Sequence, residues 1–135
     1  MIMRNILVLL FTASFLIFYT SVHAEEAIRE NILGSWEGPL VIGRDNMKLA
    51  FTFTLQGEEI AAVLTSNGLG IYGMPADTVI VDDRRITIRI PRLDLEFTGV
   101  ARTATSGEVL RIDGDWFQYS EMVPVVLLPV ENPSF

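Results

Sequence analysis

The chain has 135 residues, half of them hydrophobic, with 17 acidic against 10 basic side chains, a net charge of −7 and no cysteine. That length predicts a single domain once any processed segment is set aside. The negative charge repels nucleic acid and anionic lipid, and the lack of cysteine excludes disulfides and thiol chemistry.

In chain order, the first element is a secretory signal. Arg4 supplies the positive region, Ile6 to Thr20 is apolar, and Ser21-Val22-His23-Ala24 ends in the small-residue pattern that signal peptidase cuts. Fifteen residues fall short of the roughly 20 that span a bilayer as a helix, and Thr12 and Ser14 interrupt them. Cleavage after Ala24 therefore divides the chain into a signal at 1–24 and one domain at 25–135. No cysteine follows the cleavage site to carry a lipid. The expected location is the bacterial periplasm or the medium, with no membrane insertion after cleavage.

Turn signals then recur every 8 to 14 residues, the rhythm of a sandwich or barrel. Leu33 to Ile42 reads as the first strand. Met47 to Leu55 alternates, with Leu49, Phe51, Phe53 and Leu55 on one face and Lys48, Ala50, Thr52 and Thr54 on the other. Glu59 to Thr65 follows the turn Gln56-Gly57-Glu58. Gly68, Gly70, Gly73 and Pro75 predict an irregular stretch before a short strand at Val79 to Val81. In Arg85 to Ala101, a tight loop at Pro91-Arg92 would set Ile88 opposite Leu95, Ile86 opposite Phe97, and Arg89 opposite Asp94. Val109 to Trp116 and Val123 to Val130 complete the set. The last is apolar on both faces, which predicts burial on both sides, with Pro124 and Pro129 confined to its ends or an edge. The expectation is an all-β fold: a small antiparallel up-and-down barrel of about eight strands, with no helix after the signal.

The chemistry expected of this domain is sparse. Its only histidine, His23, leaves with the signal, so Ser-His-Asp and Cys-His nucleophiles and zinc sites built on those ligands are excluded. No nucleophile elbow or phosphate loop is present. Asp82-Asp83 and Asp113-Gly114-Asp115 are better read as turn residues than as calcium ligands or an acid/base pair. Lys48 reads as solvated. No catalytic residue, metal or cofactor is expected.

Gly34-Ser35-Trp36-Glu37-Gly38 resembles the G-x-W at the start of lipocalin-type barrels, where the indole closes one end. A longer series runs through Gly34 to Leu40, Leu49-x-Phe51, Ala62 to Ser66, Gly73-Met74-Pro75 and Ile90-Pro91. It continues through Phe97-Thr98-Gly99, Ile112 to Gln118 and Val123 to Leu127. In that order it resembles the small β-domain in front of many bacterial secreted α/β-hydrolases and related serine hydrolases, which also occurs alone. The resemblance covers nearly all of residues 25–135. Two departures stand out: the family's Ser-Pro-Asp-Gln-Gly-like loop reads Ser66-Asn67-Gly68-Leu69-Gly70-Ile71 here, and the hydrolase's catalytic residues have no counterpart. The resemblance thus implies a lipocalin-like fold and an accessory role without the hydrolase's activity.

The expected function is a non-catalytic accessory or interaction domain, its partner an envelope protein; the alternative is a carrier of a small apolar ligand. Candidate binding residues are Leu69, Ile71, Tyr72 and Met74 in the Gly-rich loop, since contacts gather on loops held by a scaffold. Trp36 and Trp116 join them as aromatics that could meet a ligand.

Overall fold

The structure is a computed structural model that describes residues 25–134; the signal segment, His23 and Phe135 lie outside the described residues. It holds nine strands: β1 (Gly34–Ile42), β2 (Asp45–Gln56), β3 (Glu59–Ser66), β4 (Ile71–Pro75), β5 (Thr78–Asp82), β6 (Arg85–Ile90), β7 (Leu95–Thr103), β8 (Val109–Gln118) and β9 (Glu121–Val130). They form one curled antiparallel sheet in the order β4-β3-β2-β1-β9-β8-β7-β6-β5. The all-β, barrel-like class expected from the alternation is what the chain adopts.

The ninth strand comes from a change of partner. β4 and β5, the two edges of the sheet, are consecutive in the chain and run in the same direction. Ala76 N–H still donates to Ala62 C=O on β3, and Asp77 N–H already donates to Arg89 C=O on β6. One extended stretch thus pairs first with β3 and then with β6, drawing the edges together. Gly73 makes the first half possible. It sits at φ +72, where the β3–β4 register shifts between Leu64 and Thr65, so the stretch expected to be irregular is a bulged strand.

A short helix, α1 (25–31), precedes β1 and corrects the expectation of none. Ile28 and Ile32, four apart and on one face, are both buried in the core. Trp36 Nε1 donates to Ile32 C=O at 2.7 Å, Arg29 to Glu58 C=O and Asn31 to Gly107 C=O. Alone, so short a helix is unstable. Here it is held against one end of the barrel by apolar burial and by bonds to two hairpin turns.

The β6–β7 hairpin differs from the tight loop. Pro91–Leu93 forms a 3-10 turn and Asp94 takes a left-handed conformation at φ 49. Ile90 therefore pairs with Leu95, Ile88 with Phe97, and Ile86 with Gly99. The shift is two residues, an even number, so Ile86, Ile88, Leu95 and Phe97 keep their inward faces while Arg89 meets Glu96 instead, at 3.2 Å.

Inside, the side chains form one continuous cluster. Phe51 and Phe97 lie with ring centroids 5.2 Å apart, among Phe53, Trp116 and the inward isoleucines and leucines. The Phe97 ring covers Gly99 and Gly114, which pair across β7 and β8; a Cβ on Gly114 would lie 2.5 Å from Phe97 Cζ. Asp113-Gly114-Asp115 is thus not a turn but the middle of β8, with Gly114 inward to admit the ring.

Candidate functional site

The six sequence-derived binding residues do not converge. Trp36 and Trp116 are buried, at 3 % and 1 % exposure. Trp36 ties α1 to β1, and Trp116 Nε1 has no hydrogen-bond partner among the described residues. In the Gly-rich loop, Ile71 is buried, while Leu69 and Met74 are half-buried and pack on the core. Only Tyr72 presents itself to solvent, at 74 % exposure. Alternation on β4 explains the split, since the bulge at Gly73 turns both Ile71 and Met74 toward β3's inward face.

A larger apolar surface lies elsewhere, on the strand expected to be buried on both sides. In β9, Val125 and Leu127 point inward and are buried, whereas Met122, Val126 and Leu128 point outward and are exposed. β9 lies between β8 and β1, but its ladders are staggered. Residues 121–127 pair with β8 and residues 128–130 with β1. Main-chain groups alternate between the two neighbours, and the closing pair Gln118–Glu121 fixes the phase. Pro124's missing N–H then falls on the β1 side before that ladder starts, and Pro129's on the β8 side after that ladder ends. Neither proline removes a ladder bond, which is how a central strand tolerates both.

The register builds the surface outward from β9. Phe117 lies opposite Met122, Asp115 opposite Pro124, Asp113 opposite Val126, and Glu37 opposite Leu128. Exposed Phe117 extends the stripe at one end; Val41, exposed on β1, lies beyond the β1–β9 ladder. The β8–β9 turn adds Tyr119, 69 % exposed. Tyr119 and Ser120 are both left-handed, with φ 51 and 63, a two-residue hairpin geometry that normally selects Asn-Gly.

Charged pairs border the stripe. Asp113 accepts from Arg111 at 2.9 Å and from Arg102 at 3.0 Å, and these two hydrogen bonds hold its carboxyl below the ordinary aspartate range. On the other flank, Ser134 folds back so that its N–H and Oγ donate to Glu37 at 2.9 and 3.1 Å. Lys48, expected to be solvated, lies 3.4 Å from the same carboxylate. Burial raises the Glu37 pKa, but the bonds from Ser134 and Lys48 outweigh it and the net shift is downward. Of the carboxylates beside the stripe, Asp113 and Glu37 are therefore engaged with partners. Among the described residues, no three of His, Cys, Asp and Glu gather as a metal site, and no helix is long and apolar enough to cross a membrane.

No family model matches the chain, and neither a curated protein nor a solved structure matches it.

Proposed function

We propose that this chain is a non-catalytic accessory domain of the bacterial envelope or extracellular space, which binds another protein through the outward face of β8 and β9. The observation that carries this reading is the exposed stripe of Phe117, Met122, Pro124, Val126 and Leu128. Contiguous apolar surface on a small domain marks a contact site more often than chance exposure does. Protein interfaces are also rich in aromatic side chains and methionine, with charge kept to the rim, as Asp113, Arg111 and Glu37 are here. The accessory role implied by the resemblance to the β-domain of secreted hydrolases points the same way. A carrier of a small apolar ligand would need interior space. Phe51, Phe53, Phe97 and Trp116 instead interlock with the inward aliphatic side chains, which favours an outer-surface partner.

The test is a pair of charge substitutions, Met122→Glu with Val126→Lys, in protein comprising residues 25–135. Both positions are exposed, so the melting temperature is expected to stay near that of the wild type, while recovery of the partner from envelope extract is lost. Equal recovery by the folded variant would overturn this assignment.

A further inference from the structure

We propose that the gap between β3 and β5 binds an extended peptide segment, which adds to the free edge of β5 as a further strand. The proposal rests on the reading of the chain as a protein-binding domain but uses a surface separate from the β8–β9 stripe.

The gap follows from the partner switch at Ala76-Asp77. Past that point β5 follows β6, and no main-chain hydrogen bond crosses from β3 to β5 among the described residues. The phase of each edge is set by its hairpin. Gln56 and Glu59 close one two-residue turn and Asp82 and Arg85 the other. Since main-chain groups alternate in direction along a strand, Thr78, Ile80 and Asp82 bond to β6. Val79 and Val81 then turn N–H and C=O into the gap. On the facing edge the same alternation exposes Ile60 and Ala62, and of these Ala62 C=O is taken by Ala76 N–H.

The space between these edges is a cleft of about 480 Å³, lined by Gln56, Glu59–Ala61, Ala76–Val81 and Arg29 of α1. That volume lies within the roughly 300–1,000 Å³ of ordinary ligand pockets. Its floor is apolar, because Ile60 and Val81 are buried beneath it. Its walls are polar main chain, with donor–acceptor pairs recurring every second residue, about 6.8 Å along an antiparallel strand. An extended polypeptide carries complementary groups at that same repeat. Free strand edges are normally covered or blunted with charge or proline, and a peptide laid on such an edge is a known mode of recognition. Between Thr78 and Val81 the edge carries no charge and no proline, so nothing in that stretch blocks it.

Two measurements test the proposal on protein comprising residues 25–135. First, amide hydrogen exchange in the free protein is expected to be fast at Val79, Val81 and Ile60 and slow at Ile80, which bonds to β6. Uniformly slow exchange would mean that the edges pair with each other, and would overturn the proposal. Second, a library of random linear ten-residue peptides is selected against the immobilised protein. Enriched peptides are expected to protect the Val79 and Val81 amides, and to lose at least tenfold in affinity on N-methylation at alternate positions only. Val79→Pro, which removes one outward N–H and no bond to β6, is expected to abolish their binding, and Val126→Lys to leave it unchanged. Failure to enrich any peptide, insensitivity to N-methylation, or a dimer that pairs through β5 instead would each overturn the proposal. Loss of peptide binding in Val126→Lys would place the peptide on the stripe and overturn it as well.

Discussion

The Phe97 ring and the two glycines beneath it show how far one residue's environment can be read. The inward face of Phe97 follows from alternation with Leu95, but the need for Gly114 comes from a pairing between β7 and β8 that no local pattern contains. Phe97→Ala is expected to cost about 3–5 kcal/mol, the range for a buried phenylalanine, and Gly114→Ala at least about 1–3 kcal/mol through overpacking. Because both changes act on one space, the double variant is expected to be less destabilised than the sum of the singles. Urea titrations of the four proteins check this. Asp113 makes a second residue-scale case. Its folded pKa is depressed, so its contribution is present above the unfolded value of about 3.9 and is lost as pH falls through the folded value. The pair is at the surface, so Asp113→Asn is expected to cost at most about 1 kcal/mol at neutral pH. That difference is expected to shrink as the two proteins are compared at progressively lower pH below 4.

At the scale of elements, legibility depended on whether the signal was local. The alternation of β2 and β6 is written in consecutive residues, and those strands lie where the pattern put them, although Leu55, at the end of the apolar face of β2, is exposed and Ala50, on its other face, is buried. α1 was not legible, although Ile28 and Ile32 carry helical spacing, because so short a helix is made by its docking on the barrel end. The tight loop expected at Pro91-Arg92 gives way to a longer turn because Asp94 accepts a left-handed conformation. β9 was expected to be buried on both sides for a sound reason, since a run of Val, Leu and Pro is usually interior. Its outer face is exposed because a single-layer barrel has only one inside. The β8–β9 turn supplies an element-scale prediction. A left-handed conformation costs about 1–2 kcal/mol for an ordinary residue, so replacing Tyr119-Ser120 with Asn-Gly is expected to stabilise the domain by about 1 kcal/mol. A urea midpoint no higher than that of the wild type would count against the hairpin geometry.

At the scale of the molecule, the fold separates packing from recognition. The large side chains that the sequence offers as ligand contacts, Trp36 and Trp116, fill the interior. The apolar surface that is left over lies outside, on β8 and β9, and the unpaired strand edges lie at the β3–β5 gap. The candidate site was therefore only partly readable: the Gly-rich loop offers Tyr72, which is exposed, but the stripe depends on which face of β9 turns inward, which only the sheet order decides. On this reading the outer face of β8 and β9 meets a protein partner. Site-specific photo-crosslinking in the native envelope tests this contact, with the reactive group placed in turn at Met122, at Val126 and, as a control on another outward face, at Thr87. Discrete crosslinked products are expected from 122 and 126 and none from 87; products from 87 alone, or none from any position, would contradict it.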